Sequence, residues 1–178
     1  FANFSGSYAL NESNSSGDVN IIYTFAKVIN DGVYIWSIEA CNNYTNCNSS
    51  SNITIKIDTI APIVNFTSPV NRSYKASSSV IANISFTDAS AVTCQAKTDN
   101  NGWQNMSIDG VRANYSFSNV ADGNHSLAVN CTDNLGNNNI TNISFAVDTV
   151  FPVINLMSPA NGSSWTSSST VDFYYNVT

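Results

Sequence analysis

The chain has 178 residues and a formal net charge of −6, with 43% hydrophobic, 11% aromatic and only 10% charged residues. The length suits one large domain or two of about 90 residues. The aromatic content excludes a disordered chain, and six Lys plus Arg are too few for the basic face a nucleic-acid partner requires.

Strands are predicted from end to end, and no stretch carries a sustained helical period. Trp36 and Ile38 alternate with polar neighbours, as do Ile53, Ile55 and Ile57. This alternation marks a strand with one buried face. Val64 and Phe66 follow, then Val80, Ala82, Ile84 and Phe86, then a strand around Cys94. The pattern continues through Tyr115 and Phe117, Leu127 and Val129, and Ile143, Phe145 and Val147. Val153 to Met157 and Thr170 to Thr178 close the series. Turn dipeptides separate these runs: Asp31-Gly32, Asn101-Gly102, Asp109-Gly110, Asp122-Gly123 and Leu135-Gly136. Short strands at intervals of about 8–12 residues argue an all-β, antiparallel sandwich architecture.

No apolar run approaches the roughly 18–20 residues of a membrane span. No signal-peptide pattern opens the chain, so the leader of a secreted protein is expected outside these residues.

The chain also repeats itself. Asp58-Thr59-Ile60-Ala61-Pro62 recurs as Asp148-Thr149-Val150-Phe151-Pro152, 90 residues later. The match continues through Ser68-Pro69 and Ser158-Pro159, Asn71 and Asn161, and two serine triplets at 77–79 and 167–169. Asp31-Gly32 matches Asp122-Gly123 at an offset of 91. A repeat of this size is one small β-sandwich.

An ordinary soluble domain is about a quarter charged, so something else must solubilise this surface. Asparagine is the candidate, with 28 residues, beside 27 serines and 14 threonines. Asn-x-Ser/Thr sequons occur at Asn3, Asn11, Asn14, Asn43, Asn48, Asn52, Asn65, Asn71, Asn83, Asn105, Asn114, Asn124, Asn130, Asn139, Asn142, Asn161 and Asn176. Chance placement at this composition gives roughly six, against seventeen observed. Extensive N-glycosylation is therefore expected, with bulky glycan doing the work of charge. Strand alternation places Asn83, Asn114, Asn142 and Asn176 on solvent faces, each beside an inward residue.

The run Cys131-Thr132-Asp133-Asn134-Leu135-Gly136-Asn137, the Val147-Asp148-Thr149 … Pro152 junction and the Ser158-Pro159-Ala160-Asn161-Gly162 turn resemble tandem immunoglobulin-like repeats of bacterial and archaeal surface proteins. The resemblance covers nearly the whole chain. It implies tandem immunoglobulin-like sandwiches of about 90 residues, and it is specific for architecture only, because such repeats serve as stalks, filaments and adhesin shafts. On that frame, 1–61 is a domain lacking its first two strands, 62–151 a complete domain, and 152–178 the first two strands of a further domain.

Cys94 and Cys131 fall on neighbouring central strands of the middle repeat and are expected to pair. Their counterparts in the first repeat are read as Ala9 and Ala40, the former counted back from Gly17. Cys41 then lies one residue off the core position and is expected to bridge Cys47 across Asn42 to Asn46. Two bridges imply an oxidising, extracellular compartment. With one histidine and no second Cys-x-x-Cys, a metal reading of the cysteines is weak.

The repeat phase points to assembly. The first repeat is short of two strands, and the C-terminal residues match those two, with Val171, Phe173, Tyr175 and Val177 aligned to Val80, Ala82, Ile84 and Phe86. Joining Thr178 of one copy to Phe1 of the next restores a near-complete repeat. Either separate subunits donate strands, or the segment is one unit of a longer continuous chain; an arbitrary boundary is the plain alternative.

No catalytic constellation stands out. His125 is the sole histidine and is read as structural, and no nucleophile elbow or phosphate loop occurs. Asp133 with Asn134 and Asn137 offers oxygens of the kind calcium takes, but a hydrogen-bonded turn is the simpler expectation. Trp36 is read as core, while Trp103 and Trp165 near turns are the exposed aromatics that could stack on sugar. The expected function is a structural, non-enzymatic subunit of a glycosylated extracellular filament or stalk. It needs no cofactor beyond N-linked glycan, and its partners are copies of itself joined head to tail. The alternative is an adhesin or carbohydrate-binding accessory module of a secreted protein, recognising a surface glycan.

Overall fold

A computed structural model describes residues 1–4, 6, 10, 13–14, 22–166 and 168–178. Asn11, Ala9 and Gly17, and the repeat equivalences drawn through the last two, lie outside the described residues. Among the described residues there is no helix. In chain order the strands are β1 (Gly32–Trp36), β2 (Glu39–Cys41), β3 (Cys47–Ser49), β4 (Ile53–Ile57), β5 (Ile63–Ser68), β6 (Ser73–Lys75), β7 (Val80–Thr87) and β8 (Val92–Thr98). They continue as β9 (Gln104–Asn105), β10 (Ser107–Asp109), β11 (Arg112–Phe117), β12 (Gly123–Asp133), β13 (Asn138–Val147), β14 (Ile154–Ser158) and β15 (Tyr174–Val177).

The two larger sheets have the orders β10-β11-β7-β5 and β6-β13-β12-β8-β9. Lettered in chain order, the first is D-E-B-A and the second carries G-F-C at its centre, which is the immunoglobulin-like arrangement. The remaining pairs are β1-β4, β2-β3 and β14-β15.

The chain divides into two compact units, one of residues 1–63, 87–93 and 131–139, the other of 64–86, 94–130 and 140–178. In the second unit the alternation expected from sequence is realised. Val80, Ala82, Ile84 and Phe86 of β7 are all buried, as are Ala113 and Phe117 of β11, Leu127 and Val129 of β12, and Phe145 and Val147 of β13. The Ser68-Pro69 bond is cis, as is its repeat counterpart Ser158-Pro159. Just after it, Asn71 Oδ1 accepts from the backbone N–H of Ser144 at 3.0 Å, and β6 pairs parallel to β13. The Ser-Pro-x-Asn motif thus hands the chain from the sheet containing β5 to the sheet containing β6.

In the first unit β1 and β4 form an antiparallel pair in which Tyr34 faces Ile55 and Trp36 faces Ile53. Ala2 bridges Trp36 on the other edge of β1, with Asn3 N–H donating to Ile35 O at 3.1 Å. The apolar residues share one face, yet it is not a closed core. Trp36 and Ile57 are only half-buried, while Ile53 and Ile55 are exposed. Ile38, expected to point inward, is exposed as well. The physical reason is strand number: among the described residues β1 and β4 form a two-stranded ribbon, which cannot bury a face without a sheet packed against it.

Candidate functional site

The β14–β15 hairpin carries the strand proposed for joining copies. Its register sets Ile154 opposite Val177 and Leu156 opposite Tyr175, with Asn155 opposite Asn176. One face is therefore apolar, and the other carries Asn155 and Asn176 beside Tyr174. The apolar face is bare: Leu156 is 85% exposed and Tyr175 66%. A bulge between Leu156 and Ser158 shortens the paired strand to Tyr174–Val177, so Phe173, which is exposed, and Val171, which is half-buried, precede it.

Twelve of the sixteen described acceptor asparagines are exposed; Asn3, Asn83, Asn130 and Asn139 are half-buried. The sequon has a geometric consequence in a strand. Its asparagine and hydroxyl residue are two apart, so both emerge on the same face. On β11 this puts Asn114 and Ser116 outside, between the buried Ala113 and Phe117. Asn83 lies directly opposite Asn114, but on a strand flanked on both sides, which explains its partial burial. Asn65, Asn105, Asn124, Asn142, Asn161 and Asn176 are all exposed. Asn139 departs from the outward pattern. It shares the strand parity of Ile143, Phe145 and Val147, and its Nδ2 donates to the Pro62 carbonyl at 2.9 Å. Asn130 has a buried Oδ1 without a hydrogen-bond partner.

Cys41 and Cys47 are directly opposite on β2 and β3 and are disulfide-bonded. Cys94 and Cys131 are buried and disulfide-bonded too, so no cysteine is free. They lie on β8 and β12, which are neighbours in one sheet. Their sulfurs, and those beside Glu39, are therefore not thiolate ligands for a metal.

The Cys41–Cys47 loop reproduces the Oδ1 and backbone hydrogen bonds of a second turn, in which Asn137 Nδ2 also donates to Asp133 Oδ2. In one, Asn42 Oδ1 accepts from Tyr44 N–H at 2.9 Å and Asn46 N–H at 3.1 Å. In the other, Asp133 Oδ1 accepts from Leu135 N–H at 2.8 Å and Asn137 N–H at 2.9 Å. Asn42 N–H donates to Asn46 O as Asp133 N–H donates to Asn137 O, each at 3.0 Å. Thr45 (φ 66°) stands where Gly136 (φ 95°) stands. Every pair is separated by 91 residues, so Asn46 corresponds to Asn137 and Asn48 to Asn139. The signal was present in the sequence as Asn42-x3-Asn46-x-Asn48 against Asp133-x3-Asn137-x-Asn139, but it is hidden by the unlike cysteines between them.

The repeated Asp-Thr-x-x-Pro junctions are clasped alike. Asp31 accepts from Thr59 N–H and Oγ1, both at 3.0 Å, and Asp122 accepts from Thr149 N–H at 3.0 Å and Oγ1 at 2.9 Å. The first junction has further partners. Asn137 Nδ2 donates to the Asp58 carbonyl at 2.8 Å, Ser90 Oγ donates to the Asp58 carboxylate, and Lys56 lies 3.8 Å from it. The carboxylates of Asp58, Asp88 and Asp133 come within 4.8 Å of one another and are the oxygens that a cation would use here. Those of Asp133 already receive three N–H bonds, from Leu135, Asn137 and the Asn137 side chain. Burial pushes the Asp133 carboxyl up, but the bonds from Asn137, Leu135 and Gly136 outweigh it and hold the group below its ordinary value.

His125 is tied into the fold. Its Nδ1 is 2.8 Å from Asp99 Oδ2 and its Nε2 2.7 Å from Ala121 O, with its ring stacked against Phe145. The Asp99 hydrogen bond raises the imidazole above its usual value against the opposing effect of burial. Burial pushes Asp99 up in turn, but its bonds to His125 and Ser126 bring it below the usual carboxylate value. Asp99, Gln104, Tyr115 and His125 line an open groove of about 620 Å³. Trp103 is half-buried beneath Lys97, whose Nζ is 5.0 Å from the ring centroid, and Trp165 is exposed. Among the described residues no helix is long and apolar enough to cross a membrane.

No family profile and no curated protein matches the chain. Solved structures that it resembles include an engineered protein (14% identity over 51% of this chain and 21% of that one, TM-score 0.42). Another is a modular endo-β-1,4-mannanase from Cellulomonas fimi (14%, 54% and 20%, TM-score 0.40). A third comprises fibronectin(III)-like modules of Clostridium thermocellum CbhA (16%, 66% and 63%, TM-score 0.40). The chain spans about a fifth of the first two and under two thirds of the third.

Proposed function

We propose that the chain is a structural, non-catalytic segment of an extracellular, N-glycosylated shaft or filament of immunoglobulin-like repeats. In it, a hairpin like β14–β15 completes a sandwich with a half like β1–β4. One observation carries the reading: the apolar face of Ile154, Leu156, Tyr175 and Val177 is bare, although its two strands match in sequence the paired strands β5 and β7 of a sandwich. The half-open face of Tyr34, Trp36, Ile53 and Ile55 is its chemical complement. Contact between such halves is heterologous and does not close, hence a linear polymer. Whether the halves meet between separate chains or along one longer chain, the face buried is the same. Exposed acceptor asparagines would sheathe the shaft in sugar, and the disulfides suit an oxidising exterior.

Sedimentation of the purified chain over rising concentration tests this. Head-to-tail growth is expected, and it should be abolished by Tyr175→Asp with Val177→Asp. A monodisperse monomer at every concentration, unchanged by those substitutions, defeats self-assembly of separate chains.

A second reading, a carbohydrate-binding accessory module, draws on the groove beside Asp99, where Tyr115, Gln104 and His125 combine an aromatic with polar groups. Retention on a polysaccharide that is lost with Tyr115→Ala would favour it.

A further inference from the structure

The two Asp-Thr-x-x-Pro junctions have the same sequence motif and the same aspartate clasp, but the Ala61-Pro62 end of one is covered while the matching Phe151-Pro152 end of the other is bare. At the first, Pro62 is buried and Ala61 half-buried. Asn137 Nδ2 closes on the Asp58 carbonyl and Asn139 Nδ2 on the Pro62 carbonyl. At the second, Asp148, Val150 and Pro152 are exposed, and Phe151 is 85% exposed.

The groups that cover the first junction come from the turn after β12, Asp133 to Asn139. Among the described residues one further turn shares its Oδ1 and backbone hydrogen bonds, the disulfide-closed loop from Asn42 to Asn48, and every residue of it is exposed. Asn46 and Asn48 occupy in that loop the places of Asn137 and Asn139.

We propose that the Asp148–Pro152 segment is a docking site for a second copy of this chain, occupied by that copy's Cys41–Cys47 loop. Asn46 donates to the Asp148 carbonyl and Asn48 to the Pro152 carbonyl, as Asn137 and Asn139 do at the first junction. The docking also covers Phe151, which stands where the half-buried Ala61 stands in the first junction. It rests on the head-to-tail reading above and adds the joint between successive sandwiches to the strand completion described there. Asn48 is a sequon acceptor; in the docked joint its amide faces a neighbour, which leaves it without glycan, as is expected of the half-buried Asn139.

Hydrogen exchange on the full chain, dilute and concentrated, tests the joint and separates it from strand completion. Segments 148–153 and 174–177 are both expected to gain protection with concentration. In Asn46→Ala with Asn48→Ala, segment 174–177 should keep its gain and 148–153 should lose it, with association weakened by about tenfold. Gain at 174–177 with none at 148–153, or a gain there that the double substitution leaves intact, overturns the joint and spares strand completion. No gain at either segment overturns both. Asn46→Ala alone, folded by its far-ultraviolet spectrum, guards against loss of the turn itself, since its backbone bonds to Asn42 do not use the Asn46 side chain.

Discussion

Strand β7 and the C-terminal hairpin place matching residues in opposite environments, which allows one sharp comparison. Ile84 is 1% exposed and faces Ala113 across the sheet; Tyr175, its counterpart by alignment, is 66% exposed. Ile84→Ala removes three carbons from a closed core. Transfer alone costs about 0.8 kcal/mol per carbon, and a residual cavity brings the total to about 2–5 kcal/mol. For a sandwich of about 90 residues that lowers Tm by about 8–40 °C. Tyr175→Ala should cost the dilute chain under about 0.5 kcal/mol, as surface changes do. In an assembly the same ring has about 100–170 Å² still to bury, worth about 2–4 kcal/mol at 25 cal/mol per Å². Calorimetry on dilute protein measures the first pair of numbers, and sedimentation of concentrated protein the last. Equal Tm losses for the two substitutions in dilute protein would refute the argument, because the hairpin would then be packed within its own chain.

Glycopeptide mapping of protein from a glycosylating host should find sugar on Asn65, Asn114 and Asn142, and none on Asn139 or Asn130. Replacing Cys94 and Cys131 by alanine should lower stability by about 2–5 kcal/mol. Replacing Cys41 and Cys47 by serine should leave the melting of the second unit unchanged and weaken association. The Asp99–His125 pair gives a signed pH dependence. The histidine's value is raised on folding, so its contribution is full below about pH 6.5 and is lost as pH rises through the folded value. The aspartate's is lowered, so its contribution is full above about pH 4 and is lost as pH falls through its folded value. Thermal melts should therefore peak between those limits, and His125→Asn should flatten the alkaline side.

Period-2 alternation was enough to place the closed core, because β7, β8, β11, β12 and β13 of the middle repeat each have a covered face. Val80 to Phe86 and Leu127 to Val129 fell where the pattern put them. The same pattern misjudged Ile38 and over-buried Trp36, Ile53 and Ile55, since alternation states which side is apolar but not whether anything lies against it. Asn139 shows a different limit. As a sequon it reads as a solvent-facing acceptor, yet it stands on the inward parity of β13, and only the approach of the Pro62 carbonyl reveals its role. Asp31 and Thr59 were legible as repeated motifs, while their bond was not, because it joins residues 28 apart. Asn46 and Asn48 went unread for a simpler reason: Cys47 between them drew the disulfide interpretation and concealed the match to Asn137 and Asn139.

The difference between the two matching turns follows from where each finds its partner. At Gly136 the left-handed backbone carries no side-chain penalty, and the turn closes against Asp58 of its own chain, held near by the strands on either side. At Thr45 the same conformation is occupied by a β-branched residue, for which it costs of order 1–2 kcal/mol. Left alone, such a loop would spend much of its time in other shapes, and a partner arriving from a second chain would have to meet the cost of ordering it. A disulfide across the base of the loop confines it beforehand and removes that cost from association. On this view the Cys41–Cys47 bridge contributes little to the fold itself. In the proposed joint it keeps the Asn46 and Asn48 donors in position before copies meet.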